Sequence, residues 1–197
     1  WTGYSTAPAL VSTEQNTTAG GSKSVKTAGT LTNYTNAVDY NIVGMTQKNW
    51  EATWSFYSTG ATREYVQLRS YSGGGASGDL QQLISFGHYN AAPADVSKYN
   101  FRVAVGSVGW TNTNIARVNN AWHTMKVTQT DNGNGTATLN FYVDGTLGGT
   151  ADTTSVFPLT QIRIGSGLSN NNMASYFDDV VVTPEPATLA LLASGLF

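Results

Sequence analysis

Apolar and polar residues alternate in short runs along most of the chain, and clusters of Gly, Asn, Asp and Ser separate the runs. In the run Trp50–Tyr57, the side chains of Trp50, Ala52, Trp54 and Phe56 fall on one face. A period of two is typical of a strand with one buried face and one solvated face. The same pattern predicts strands over Ser22–Ala28, Ala37–Val43, Glu64–Ser72, Leu80–Phe86, Phe101–Val105, Ala121–Thr130, Leu139–Val143, Ile162–Ile164 and Tyr176–Thr183.

The residues between these runs are suited to tight turns. Asp131-Asn-Gly-Asn-Gly135 lies between two predicted strands and is typical of a hairpin loop, and Asp144-Gly145 ends the next strand. No stretch of the body shows a sustained period of 3.6 residues, so long helices are not expected. We therefore predict an all-β fold, a two-sheet antiparallel jelly-roll sandwich over residues 1–183, followed by a short apolar tail over residues 184–197.

The composition excludes several classes of function. The chain has 197 residues, of which 11% are charged, with ten Lys and Arg against twelve Asp and Glu. A net charge of −2 disfavours nucleic acid as a partner. There is no Cys, so disulfides, thiolate chemistry and Cys-based zinc sites are excluded. Of the two histidines, we expect His88 in an exposed loop and His123 on the more apolar face of its strand, and no cofactor is required.

Four segments in order along the chain resemble a known fold family. They are Trp122-His-Thr-Met-Lys-Val127, Leu139-Asn-Phe-Tyr-Val-Asp-Gly145, Ile162-Arg-Ile-Gly-Ser-Gly167 and Tyr176-Phe-Asp-Asp-Val-Val-Val182. Their order is similar to that of concanavalin A-like lectin and glucanase sandwiches, in particular the LamG-like jelly-roll domains of bacterial surface proteins. The resemblance covers about residues 1–183 and implies the same sandwich as the alternation does.

The segment after the last predicted strand resembles a second, more specific signal. Pro184-Glu185-Pro186 followed by Ala-Thr-Leu-Ala-Leu-Leu is similar to the PEP-CTERM sorting signal of Gram-negative bacteria that produce exopolysaccharide. This resemblance implies an extracellular or outer-surface location and only a transient contact with the membrane. The apolar run of residues 187–197 is shorter than the roughly 20 residues that cross a bilayer, so we expect a truncated tail. The residues assigned to it are Pro184, Glu185, Pro186, Leu189, Leu191, Leu192 and Phe197.

An apolar tail is poorly suited to water, and we expect it to pack on this domain or on another copy. Head-to-tail docking of such a segment would produce a filament, which makes a self-assembling structural subunit the alternative function.

Catalytic motifs are weak. Glycoside hydrolysis needs two carboxylates across one groove, and the Glu-x-Asp-x-x-Glu run of glucanases with this fold is absent. Adjacent Asp178 and Asp179 are expected on opposite faces of their strand. Alginate-lyase-like relatives use a groove of Arg, Gln, His and Tyr. These residue types are present at Gln67, Arg69, Tyr71 and His88, but the motifs of that family are missing. A polysaccharide-degrading enzyme is therefore the third hypothesis, and we expect no enzymatic activity.

The polar faces of several strands carry residues that suit a polysaccharide, because sugars are bound by aromatic rings beside planar amides and guanidinium groups. If these strands share one sheet, they form one surface. The residues predicted to bind carbohydrate are Tyr65, Gln67, Arg69, Tyr71, Arg102, Asn140, Tyr142 and Arg163. The main hypothesis is thus a non-catalytic matrix protein that associates with exopolysaccharide.

A structural calcium ion is a secondary expectation, since oxygen-rich loops suit a hard cation. The candidate ligands are Asp131, Asn132 and Asn134, or Asp178 together with the loop of residues 170–172. Hairpin turn chemistry is the competing explanation for the first set.

Overall fold

The computed structural model describes residues 2–4, 10–17, 21–27, 37–60, 63–90, 93–104, 108–165 and 173–184. The regular structure of these residues consists of fourteen strands. They are β1 Thr2–Tyr4, β2 Leu10–Ser12, β3 Ser24–Thr27, β4 Ala37–Asn41, β5 Trp50–Ser58, β6 Arg63–Tyr71, β7 Leu80–Tyr89, β8 Lys98–Val103, β9 Val108–Ala116, β10 Trp122–Asp131, β11 Ala137–Val143, β12 Thr146–Thr153, β13 Gln161–Ile164 and β14 Ser175–Pro184. Across the described ranges, no helix has the length and apolarity that a membrane crossing requires.

The strands form two seven-stranded antiparallel sheets. Sheet A has the order β1-β4-β13-β6-β7-β8-β9, and sheet B has the order β12-β11-β10-β5-β14-β3-β2. The predicted all-β jelly-roll sandwich is confirmed. Two long strands were not among those predicted from the alternation: β9, whose centre is Thr-Asn-Thr-Asn, and β12, which contains Gly148 and Gly149.

The core lies between the inner faces of the two sheets, as the alternation predicts. On β5, the side chains of Trp50, Ala52, Trp54 and Phe56 are at most 2% exposed. Aromatic rings join the sheets: Phe101 of sheet A stacks on Phe141 of sheet B with ring centroids 4.1 Å apart. Burial of such large rings contributes much of the stability of a sandwich of this size.

At one end of the sandwich, the space between the sheets holds a charged cluster instead of apolar side chains. The carboxylate of Glu64 pairs with the Arg117 guanidinium and accepts hydrogen bonds from the hydroxyls of Ser58 and Ser175. The side chains of Arg117 and Glu64 are 8% and 0% exposed. Burial raises the pKa of Glu64 from 4.5 to about 7, against the opposing effects of Arg117 and the serines.

His88 belongs to the same cluster, so its predicted exposed position is wrong. It lies on β7, is 2% exposed, and its Nε2 is 3.0 Å from a terminal nitrogen of Arg117. Gly87 and Asn90 are residues typical of loops, but β7 extends through Gly87 and His88 and ends only at Tyr89. His123 was expected on the more apolar face of its strand. There it packs edge-on against Tyr99, and its Nδ1 lies 2.7 Å from an Asp144 carboxylate oxygen.

Candidate functional site

The outer face of sheet A carries a row of polar side chains at one level across five strands. In register, Asp39 of β4 lies beside Arg163 of β13, then Gln67 of β6, Ser85 of β7 and Arg102 of β8. Arg163 holds Asp39 in a bidentate ion pair, with nitrogen–oxygen distances of 2.6 and 2.7 Å. This pair fixes the guanidinium plane against the sheet.

A second row lies one pleat further along the same strands. Asn41, Gln161 and Arg69 are neighbours in register. Arg69 donates to the side-chain oxygens of Gln67 and Gln161, and the Gln161 amide donates to Asn41 at 2.9 Å. Tyr71 lies beside Arg69 and interacts with it. The side-chain amides of Gln67 and Gln161 therefore orient the Arg69 guanidinium. Because these amides are neutral, they do not compensate its positive charge.

Several of these polar side chains are largely buried. Gln67, Arg163 and Gln161 are only 8%, 7% and 2% exposed although they are on the outer face. The Nε atoms of Arg69 and Arg102 are buried and have no hydrogen-bond partner among the described residues. Burial, and then the positive charge of Arg163, lower the pKa of Arg69. A bound anion would oppose the lowering of the Arg69 pKa, because a negative charge favours the charged guanidinium. It would also supply hydrogen-bond acceptors for the Nε atoms of Arg69 and Arg102.

An aromatic platform borders the polar rows on the side of β9. The indole of Trp110 stacks on Tyr89, with centroids 4.3 Å apart and an interplanar angle of 4°, and meets the edge of Tyr65 at 5.1 Å. The guanidinium of Arg63 lies 5.3 Å from the centre of the Tyr89 ring. Burial raises the pKa of Tyr65, which is therefore a neutral hydrogen-bonding group. Flat rings beside guanidinium groups match the faces and edges of a sugar.

The positive charge of the protein is distributed unevenly. Four of the five arginines of the chain, Arg63, Arg69, Arg102 and Arg163, lie on the outer face of sheet A, and Asp39 is the acidic residue in their rows. This surface, together with its glutamines, tyrosines and Trp110, is called the arginine face below. It is a positive surface on a protein whose net charge is −2, and such a surface attracts anionic ligands.

Six of the eight residues predicted to bind carbohydrate meet on the arginine face, and two do not. Asn140 and Tyr142 lie on β11, which belongs to sheet B. Their side chains point outward from that sheet, where Asn140 accepts a bond from Thr150 and Tyr142 lies 4.7 Å from the Lys126 ammonium. The prediction that Asn140 and Tyr142 share a surface with Arg69 is therefore wrong. Alternation along a strand shows which of its residues share a face, but it does not show to which sheet the strand belongs.

The arginine face also contains residues that are not among the eight predicted to bind carbohydrate, namely Asp39, Asn41, Arg63, Ser85, Tyr89, Trp110 and Gln161. The signal for Trp110 was weak, since it follows Gly109 in a run of Thr and Asn that is typical of a loop. Tyr89 and Asp39 are isolated polar or aromatic residues at strand positions, and only the membership of β4, β7 and β9 in sheet A places them on the arginine face.

The candidate calcium ligands lie at two separate places. In the hairpin after β10, Asp131 accepts a bond from the Gly133 amide and Asn134 accepts from Thr136, as turn residues do. Asn132 of the same hairpin donates to the Thr136 hydroxyl. Among the described residues, no group of three or more His, Cys, Asp or Glu is placed to hold a metal ion.

The other candidate, Asp178, lies at a bulge of β14, and the loop of residues 170–172 is outside the described residues. Because of this bulge, the expectation that Asp178 and Asp179 lie on opposite faces of the strand is wrong. Asp179 adopts a positive φ of 48°, and both Asp178 and Asp179 accept hydrogen bonds from Thr17, so they do not face opposite sides. Of the tail, Pro184 ends β14, and Glu185, Pro186, Leu189, Leu191, Leu192 and Phe197 are outside the described residues.

Comparison with known proteins supports the fold. No family model matches the chain, and no curated protein matches it. Among solved structures, the chain is similar to a sialidase (TM-score 0.58, 10% identity), covering 92% of this chain but only 16% of the sialidase. It is also similar to the cellulose-induced protein Cip1 (0.58, 10% identity, 89% and 85% coverage). A third similar structure is the endo-β-1,4-glucuronan lyase of the fungus Trichoderma reesei (0.54, 15% identity, 88% and 89% coverage). At identities of 10% to 15%, this similarity shows a shared jelly-roll sandwich fold and no more.

Proposed function

We propose that the protein binds an acidic polysaccharide along the arginine face. The observation that carries this proposal is the placement of Arg63, Arg69, Arg102 and Arg163 on one face of the sheet beside the Trp110 platform. Guanidinium groups recognise carboxylates by paired, charge-assisted hydrogen bonds. Arg163 and Arg102 lie at one level on β13 and β8, and Arg63 and Arg69 lie at two other levels of β6. Several guanidinium groups distributed over one face in this way suit a polymer with a carboxylate on successive sugars.

The structural neighbours are compatible with this ligand class. One of them is named for its action on glucuronan, whose sugars carry carboxylates. We propose binding without cleavage, because the sequence lacks the paired carboxylates of glucanases and the motifs of alginate-lyase-like enzymes. We further propose that the protein works outside a Gram-negative cell and is sorted there through the PEP-CTERM-like segment that begins at Pro184.

Replacing Arg69 by Ala tests the proposal. We expect the affinity for a polyuronate such as alginate to fall about 10- to 100-fold, the effect of one charged hydrogen-bonding group. Binding should be measured by calorimetry at two salt concentrations, and the affinity of the unaltered protein should fall as salt rises. A neutral glucan should bind weakly to both proteins.

Lys126→Ala is the matched control, since it also removes one positive charge but on the outer face of sheet B. Equal losses for Arg69→Ala and Lys126→Ala would contradict a site on sheet A. The proposal of binding without cleavage is tested in the same samples by following unsaturated or reducing ends, and their steady release would overturn it.

The Trp110 platform should contribute separately from the charges. Trp110→Ala removes the ring stacked on Tyr89, and we expect a roughly 10-fold loss of affinity with an unchanged salt dependence. Trp110→Phe, which keeps an aromatic face, should recover most of the affinity. If Trp110→Ala binds like the unaltered protein at every salt concentration, the platform is not part of the site.

A further inference from the structure

The arginine face is divided into two zones that differ in charge. Over β4 and β13, the Asp39 carboxylate holds Arg163 at nitrogen–oxygen distances of 2.6 and 2.7 Å, so the charge of this guanidinium is already compensated. Over β6 and β8, Arg69 and Arg102 form no ion pair with any described residue. A ligand carboxylate is therefore attracted to the zone of Arg69 and Arg102, and Asp39 repels it from the other zone.

The zone of Asp39 is suited to the hydroxyl groups of an uncharged sugar. Asn41 lies two positions after Asp39 on the same face of β4, and Gln161 of β13 is its neighbour in register. The oxygen of the Asn41 amide accepts a hydrogen bond from Gln161 at 2.9 Å, whereas its nitrogen donates none to the described residues. Sugar hydroxyls can donate to the Asp39 carboxylate and accept from the Asn41 nitrogen, but a ligand carboxylate can only accept.

Asn41 also lines a recess of about 380 Å³ at the end of this zone, which is called the Asn41 recess below. The recess lies between residues 42–45, which follow β4, and residues 73–77, which follow β6, and Thr160 contributes to its lining. None of these residues carries a charged side chain, and Gly73, Gly74 and Gly75 expose backbone instead of side chains. The volume lies at the lower end of the range for small-molecule sites, which suits a single sugar ring.

Hydrogen bonds hold both walls of the Asn41 recess in place. The Thr160 hydroxyl donates to the Gly75 carbonyl at 2.8 Å, and the Thr160 carbonyl accepts from the Ile42 amide at 2.8 Å, so this residue connects the two walls. Within the loop, the Gly73 amide donates to the Ser77 carbonyl at 3.0 Å. The recess is therefore preformed, and a bound sugar would not have to order the loop.

We propose that the Asn41 recess, together with Asp39, is a subsite for an uncharged sugar, and that acidic sugars of the same polymer lie over Arg69 and Arg102. The ligand is then a polysaccharide in which uronates are flanked by uncharged sugars. Asp39 acts as a specificity-determining residue, because it repels a uronate from the subsite and accepts hydrogen bonds from an uncharged sugar. This inference rests on the proposed function and adds the composition of its ligand.

Two oligosaccharides of equal length test the subsite by calorimetry with the full chain. Hyaluronan alternates a uronate with an uncharged sugar, whereas alginate consists of uronates alone. We expect the unaltered protein to bind hyaluronan at least as tightly as alginate, although hyaluronan carries half as many carboxylates. Asp39→Asn should shift the ratio of the two affinities about threefold or more toward alginate, because the repulsion is removed. Asp152→Asn, which removes a negative charge from β12 of sheet B, should leave the ratio unchanged.

A second variant fills the recess without changing any charge. Ala76 is exposed and lines the recess, and we expect Ala76→Trp to weaken hyaluronan binding about 10-fold and alginate binding little. Thr130→Trp, at an exposed position of β10 in sheet B, should change neither affinity. Tighter binding of alginate by the unaltered protein, or equal effects of Ala76→Trp on both ligands, would overturn the subsite and leave the proposed function intact. Binding of neither ligand would refute the proposed function and the subsite with it.

Discussion

Replacing Arg117 by Met is expected to lower the free energy of unfolding by about 3–5 kcal/mol at pH 8, because it leaves the Glu64 carboxylate buried without its cation. The two serine hydroxyls that remain on Glu64 are neutral and cannot compensate a full charge. Chemical denaturation followed by tryptophan fluorescence measures the change. Met keeps most of the volume and packing of the arginine stem, so the loss reports the charge and not a cavity.

The pH dependence separates this explanation from a general packing defect. In the folded protein the pKa of Glu64 is raised from 4.5 to about 7, so the folded state holds this proton more tightly than the unfolded chain. Ionising Glu64 therefore opposes folding, and it lowers the free energy of unfolding progressively as pH rises from about 4.5 to about 7. Without Arg117 the ionised form is less tolerated, and we expect the cost of Arg117→Met to be smaller at pH 5 than at pH 8.

The double variant Glu64→Gln with Arg117→Met provides the control. It removes both charges, and exchanging a buried ion pair for neutral residues of similar volume is often close to neutral. We expect it to recover most of the lost stability and to abolish the added pH dependence. A double variant as unstable as Arg117→Met alone at every pH would show that packing of the arginine, and not charge compensation, explains the loss.

Local alternation was sufficient to predict the architecture where each strand has one apolar face. Trp50–Tyr57 and Leu139–Val143 lie as predicted because their apolar residues at alternate positions leave one arrangement that buries them. The prediction failed for β9, since Thr-Asn-Thr-Asn has no apolar face. That strand is held by its pairing with β8 and by Thr113, whose hydroxyl bonds to the Tyr99 carbonyl.

The sequence predicts the residues of the candidate site that alternate along one strand, but it does not predict which other strands lie beside them. Tyr65, Gln67, Arg69 and Tyr71 alternate on β6 and were found together. Their partners across the sheet come from pairings with segments distant in sequence, such as Arg163 beside Gln67, and no local pattern specifies these. The ion pair of Glu64 and Arg117 was missed for the same reason, because the two residues are 53 positions apart.

Replacing Gly87 by Ala is expected to destabilise the protein by about 3 kcal/mol or more and to disrupt the aromatic platform. Gly87 lies in β7 with a φ of 151°, and a Cβ there would collide with the Glu64 carbonyl and lie 2.6 Å from the Tyr65 Cα. It would also lie 2.8 Å from the Tyr65 Cβ, so Tyr65 must move and its contact with Trp110 changes. Denaturation and polyuronate binding should therefore both be affected.

Gly145→Ala is the matched control, because Gly145 also has a positive φ, 76°, but a Cβ there would meet nothing within 4 Å. It should lose only the conformational term, about 1 kcal/mol, and keep its affinity for the polymer. Two results would contradict the argument: equal destabilisation of the two variants, or Gly87→Ala binding normally under conditions where it is fully folded. The first would mean that the close approach of β6 to β7 is not rigid, and the second that Tyr65 is not part of the binding surface.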